Sequence, residues 1–97
     1  SIYLGIGMSQ TTPHIIIYSS NYCPFCSRAK SIFQQKSVAF EELNVDMDSA
    51  LRKEMMHKSG QRTVPQIWIG ERHVGGCDEL MVLQRSGELD KLLGLKE

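Results

Sequence analysis

Two cysteines in the run Tyr22-Cys23-Pro24-Phe25-Cys26 are the residues of this chain best suited to chemistry, and the chemistry is sulfur exchange. The run follows an apolar stretch, Ile15-Ile16-Ile17, and opens an amphipathic segment through Arg28 and Lys30 to Phe33. If a helix begins at Cys23, its first-turn N–H groups lack intrahelical partners and carry the positive end of the helix dipole, so they favour an anionic sulfur there. Free cysteine titrates at about 8.5, whereas a Cys-X-X-Cys sulfur at a helix start can fall to roughly 3.5–7.5. Cys23 is therefore expected to be the low-pKa thiol, and a thiolate is the form that attacks disulfides. Pro24 suits the first helical position, because its fixed φ matches a helix and its missing N–H was unpaired anyway. Cys26, one turn further on, is close enough to close a short disulfide or to expel whatever is attached to Cys23. The pair reads as a nucleophile with a resolver.

Other readings of the pair fare worse. A closed zinc site needs four ligands, and beyond this pair the chain offers only Cys77 and three scattered histidines. Burial of two inert thiols leaves the proline and aromatic between them unexplained, and a loop this short constrains the unfolded chain too little for a purely structural bridge.

The elements that must position the pair follow from periodicity. Ser9 to Pro13 reads as a polar lead-in, and His14 to Tyr18 as a strand buried on both faces. Ser19-Ser20-Asn21 is the turn, and from Pro24 to about Gln35 Cys26, Ala29, Ile32 and Phe33 form one core-facing helical stripe. Ala39 to Val45 is read as a second strand, and Asp46 or Asp48 caps a helix from about Ser49 to Lys58, with Leu51 and Met55 inward and Gly60 at its end. Pro65 cannot donate to a sheet ladder, so it belongs at the start or edge of the strand carrying Ile67 and Ile69. Gly70-Glu71-Arg72 turns the chain into a short returning strand at His73-Val74. Gly75-Gly76 allows a close passage before Cys77-Asp78-Glu79 opens a last helix with Leu80 and Leu83 inward, interrupted at Gly87 and continued by Leu89, Leu92 and Leu93. A β-α-β unit followed by a hairpin gives a mixed four-stranded sheet of order β-α-β-α-β-β-α between helices, an α/β fold.

At 97 residues the chain is one domain, expected over 14–97, with a lead-in over 1–13; Ser1 to Gly7 lacks the features of a secretory signal and reads equally as a tag remnant ahead of Met8. Eleven basic and eleven acidic residues cancel, so no net charge draws the chain to nucleic acid or a membrane surface, and no run approaches the ~18 apolar residues of a membrane span. Three cysteines, two in a redox spacing, do not form the framework of a small secreted domain, and the expected compartment is the reducing cytoplasm.

Cys-x-x-Cys beside a β-α-β pattern reads as thioredoxin-like. Three separated segments sharpen that: Cys23-Pro24-Phe25-Cys26, Thr63-Val64-Pro65 and Gly75-Gly76-Cys77-Asp78 together resemble a glutaredoxin of the small dithiol, bacterial type, over about Ile15 to Leu93. The Trp-Cys-Gly-Pro-Cys of thioredoxins and the Cys-Gly-Phe-Ser of single-cysteine glutaredoxins are both absent. The resemblance implies a thioredoxin fold with Pro65 in the cis form, and catalysis by Cys23 and Cys26 through a redox-active disulfide. It also implies a glutathione groove formed by Phe25, Gln61, Arg62, Thr63, Val64, Pro65, Gly76, Cys77 and Asp78. Val64 would pair with the cysteinyl part of glutathione. Cys77 and Asp78, at a helix N-terminus, would hold its γ-glutamyl end, and Gln61 or Arg62 its glycyl carboxylate. Glutathione is then a co-substrate, no cofactor is tightly bound, no metal is held, and the partners of a monomeric enzyme are disulfide-bonded or glutathionylated proteins. The chain departs from the family at Ser20, where a lysine is common; Arg62 is the cation available to compensate. The rival functions are an iron–sulfur scaffold shared by two chains through Cys23 and glutathione, against which Pro24 argues, and a reductase fed by a flavoenzyme.

Overall fold

A computed structural model of the chain describes residues 13–95, so the lead-in expected over 1–13 lies outside the described residues except for Pro13. The elements run β1 (Ile15–Ser19), α1 (Pro24–Gln35), β2 (Glu41–Asn44), α2 (Ser49–Ser59), β3 (Gln66–Ile69), β4 (Arg72–Gly75), α3 (Cys77–Ser86) and α4 (Glu88–Leu92). The sheet is four-stranded in the order β2-β1-β3-β4. β1 pairs parallel with β2, Ile17 beside Glu42 and Tyr18 beside Leu43. It pairs antiparallel with β3, Ile15 beside Ile69 and Ile17 beside Ile67. β3 and β4 form the closing hairpin, with a bulge at Ile67/Trp68. The expected mixed sheet and its element order are present.

Strand alternation divides the side chains between two cores. On one face Ile15, Ile17, Ile67 and Ile69 meet Ala29, Ile32 and Phe33 of α1, Leu80 of α3, Leu89 of α4 and Leu93, which caps α4. On the other face Tyr18 and Trp68 pack with Val45 and Met55, the last supplied by α2. The stripe read for α1 is the one that is buried. Lys58 of α2 reaches back over the Trp68 and Tyr18 rings at 5.3 and 5.9 Å, so its stem covers the edge of this second core.

Boundaries differ in ways that have local causes. β1 extends to Ser19 instead of ending at Tyr18, because Ser19 still pairs with Asn44 of β2 and its carbonyl accepts from Val45 N–H at 2.9 Å; its buried hydroxyl donates to Glu42 Oε2 at 2.6 Å. β2 is shorter than Ala39–Val45, a four-residue edge strand whose glutamates face His14 at 3.0 Å and Lys30 at 2.8 Å. Of the two aspartates that could begin α2, Asp48 is the cap, accepting from Leu51 N–H at 3.0 Å; Asp46 turns elsewhere. Gly87, at φ 84, ends α3 and begins α4, so the expected interruption is a true corner between two helices.

Candidate active site

The carboxyl end of the central strand β1 delivers Ser20, Asn21 and Tyr22 to α1, and Cys23 is the N-cap of that helix, in extended backbone at φ −116. Pro24 takes the first helical position. The Cys26 backbone N–H donates to Cys23 Sγ at 3.2 Å, so an unsatisfied first-turn donor points at the sulfur. Cys23 and Cys26 are joined as a disulfide, with Cα atoms 5.2 Å apart. The two sulfurs sit in unlike surroundings: Cys26 is buried, while Cys23 is half-buried and open to solvent.

Across from this pair lies the loop before β3. The Val64–Pro65 peptide is cis, as the resemblance implied, and the Val64 carbonyl oxygen stands 3.9 Å from Cys23 Sγ. Pro65 is buried directly ahead of β3, an interior strand; it can stand there because it precedes the ladder. A cleft of about 500 Å³ begins beside Phe25, passes Gln61, Thr63, Val64 and Pro65, and ends against Gly76, Cys77 and Asp78 at the start of α3. Phe25 leaves more than half its surface exposed at the mouth. Cys77 is buried, and that burial pushes its thiol above the ordinary range, opposed by the Arg28 guanidinium. The α3 N-terminus is closed by Glu79, whose Oε1 accepts from Gly76 N–H at 2.7 Å.

Of the residues expected to form the groove, only Arg62 is absent from the cleft wall; it is exposed beside it. Ser20, standing where the family commonly has lysine, donates its hydroxyl to Asp46, leaving no cation at that position. The sequence reading overlooked Gln66 and His73, which also line the cleft. Buried Gln66 donates to the Thr63 carbonyl at 3.0 Å, and its Oε1 meets His73 Nε2 at 2.7 Å; His73 in turn stacks on Trp68 at 4.5 Å. The loop carrying Val64 is thereby tied to β4. A lone glutamine beside the apolar Ile67-Trp68-Ile69 run was the available signal. Among the described residues no cluster of three or more His, Cys, Asp or Glu side chains is placed to hold a metal.

The glutaredoxin family model matches residues 15–74, a span that holds both the dithiol and the cis-proline loop. The chain belongs to the glutaredoxin family. It is 53% identical over 81 residues to a glutaredoxin of Pseudomonas aeruginosa, covering 84% of this chain and 96% of that one. It is 48% identical over 80 residues to glutaredoxin 3 of Escherichia coli K12, covering 82% and 96%. Among solved structures, glutaredoxin from Brucella melitensis superimposes with a TM-score of 0.77 at 42% identity, covering 90% of this chain and 95% of that one. A buckwheat glutaredoxin–glutathione complex gives 0.77 at 34% identity, covering 88% and 79%. As a bacterial-type glutaredoxin with a thioredoxin-like fold, the protein is a thiol–disulfide oxidoreductase, with its redox-active cysteine pair at the head of α1.

Proposed function

We propose that this glutaredoxin reduces protein–glutathione mixed disulfides and protein disulfides at the expense of glutathione, with Cys23 as nucleophile and Cys26 as resolver. The observation that carries this reading is the asymmetry of the pair: one sulfur faces solvent at a helix start beside a cleft, the other is sealed behind it. A thiolate at Cys23 keeps the Cys26 N–H and gains the dipole of α1, so the charge is stabilised where it must act. The cleft has the dimensions of a small-peptide site, and a relative was solved as a complex with glutathione. Val64 offers backbone groups for the cysteinyl part, and the α3 start with Asp78 suits the γ-glutamyl carboxylate and ammonium. Gln61, on the cleft wall, is better placed than Arg62 for the glycyl carboxylate.

In the first step the Cys23 thiolate attacks the glutathione sulfur of the mixed disulfide; the protein sulfur leaves as a thiolate and takes a proton from solvent. A second glutathione thiolate then attacks the glutathione sulfur held on Cys23, releasing oxidised glutathione and restoring the Cys23 thiolate. With a protein disulfide, Cys23 forms the mixed disulfide, the Cys26 thiolate attacks the Cys23 sulfur and expels the protein thiol, and two glutathiones reduce the resulting bridge. No resident cofactor enters these steps. The partners are glutathione and thiol-bearing proteins, met by a single copy of the chain in the cytoplasm, over a domain spanning 14–97.

The test uses a glutathionylated peptide. Cys23→Ser is expected to abolish its deglutathionylation, and Cys26→Ser to leave most of it. Activity that survives without Cys23 would refute the assignment of roles. Nothing in the site favours the cluster-scaffold alternative, for which visible absorption of freshly purified protein would be the sign.

A further inference from the structure

The turn that delivers Cys23 to its helix is held by a residue outside both the dithiol and the cleft. Ser20 Oγ donates to Asp46 Oδ1, and the Asn21 backbone N–H donates to Asp46 Oδ2 at 2.7 Å. Asn44 Nδ2 donates to Asn21 Oδ1 at 3.1 Å, and Asn44 Oδ1 accepts from the Asp46 backbone N–H at 2.8 Å. The turn after β1 is thus laced to the segment after β2. Arg52 of α2 stands 3.7 Å from Asp46 Oδ1. The bonds from Ser20 and Asn21, with Arg52 adding, hold the Asp46 carboxyl below its usual range, so it is an anionic acceptor at neutral pH.

Directly after the anchored pair comes Tyr22, at φ 56 and fully exposed. A bulky residue in left-handed backbone is costly and persists only where its surroundings over-determine it. The Tyr22 ring lies in solvent and supplies no such constraint, so the constraint comes from its flanks: Asp46 on one side and the head of α1 on the other. Cys23 follows, and the direction in which Tyr22 hands on the chain decides whether its sulfur meets the Cys26 N–H. Small displacements of a reacting atom are expensive in rate.

We propose that Asp46 is a positioning residue for Cys23, clamping the Ser20–Asn21 turn so that Tyr22 keeps its left-handed backbone and the sulfur arrives at the helix start. On this account Ser20 is the hydroxyl that completes the clamp, and its role is geometric. The proposal rests on Cys23 being the nucleophile.

The experiment compares Asp46→Ala with Asp46→Asn in reduced protein carrying Cys26→Ser, following alkylation of Cys23 by iodoacetamide from pH 4 to 9. Both variants lose the charge. Asparagine can still accept from Asn21 N–H through Oδ1 and donate to Ser20 Oγ through Nδ2, so the difference between them reads the hydrogen bonds alone. Asp46→Ala is expected to alkylate at pH 7 about fivefold more slowly than Asp46→Asn, the factor carried by roughly one capping hydrogen bond. In protein that retains Cys26, the same ranking is expected in kcat/KM toward bis(2-hydroxyethyl) disulfide. Equal rates for the two variants would overturn the proposal. Should Asp46→Ala fail to fold, Ser20→Ala decides: slower alkylation than wild type supports the clamp, and an unchanged rate overturns it. Turnover surviving in Cys23→Ser would refute the nucleophile reading instead, and the alkylation rates would still decide the clamp.

Discussion

Gly75 sits where β4 hands the chain to α3, and replacing it with alanine tests how that corner supports the cleft. Its φ of 114 lies in backbone that side chains rarely adopt. A Cβ there would come within 2.9 Å of Glu79 Oε1 and 3.2 Å of Glu79 Cδ. That oxygen is the acceptor for Gly76 N–H at 2.7 Å, so the carboxylate cannot swing aside without opening the start of α3. Positive-φ strain in a residue with a side chain costs about 1–3 kcal/mol. Loss of the capping bond adds about 1 kcal/mol, so Gly75→Ala should destabilise the fold by roughly 2–4 kcal/mol. For a domain of this size that lowers Tm by roughly 8 °C or more. Glu79→Ala alone forfeits only the cap, at about 1 kcal/mol. In the double variant the clash is gone and the cap is lost once, so the two single effects should exceed the double by about 1 kcal/mol. Thermal unfolding followed by circular dichroism gives all four corners of the cycle. Because the α3 start is where we place the γ-glutamyl carboxylate, KM for glutathione should rise in both single variants. A Gly75→Ala protein melting within about 2 °C of wild type, or strictly additive effects, would refute the reasoning.

Three further outcomes are expected. Burial raises the Cys77 thiol, so iodoacetamide at pH 7 should label Cys23 of the reduced protein and spare Cys77; prompt labelling of Cys77 on peptide mapping would contradict its placement. Lys30 and then Ser19 hold the Glu42 carboxyl below its ordinary 4.5, and a depressed carboxyl contributes stability that is present above its unfolded pKa and lost as pH falls through its folded one. Glu42→Gln should therefore destabilise the protein in urea at pH 7 and progressively less in acid below 4.5; a gap that widens in acid would reverse the sign. Met55→Ala empties a fully buried site on the face of the sheet opposite α1, and should cost about 2–5 kcal/mol by denaturant titration while leaving turnover of a small disulfide near wild type at 25 °C.

Much of this architecture can be read from local pattern. The α1 stripe, the proline at its first turn and the strand before it obey rules that act within a few residues, and Cys26, Ala29, Ile32 and Phe33 are buried as their spacing predicts. What the sequence does not show is pairing between distant polar residues. Gln66 and His73 carry no periodic signal, and only folding β3 against β4 makes one the partner of the other. Asp46 and Asp48 are equivalent candidates for the α2 cap when read along the chain; the approach of the Ser20 turn separates them. Arg62 shows the reverse case, a cation adjacent in sequence to cleft residues whose placement leaves it off the wall.

Among the described residues the sheet ends at β2 on one side and β4 on the other. β2 and β4 are each four residues long. The first exposes Glu41 and Glu42, and the second exposes Arg72 and His73. Short margins lined with charge give an extended foreign chain few backbone groups to pair with and make it desolvate ionic side chains to do so. These margins are therefore poor templates for strand addition, and the chemistry of the molecule stays at the carboxyl end of β1, where α1 begins.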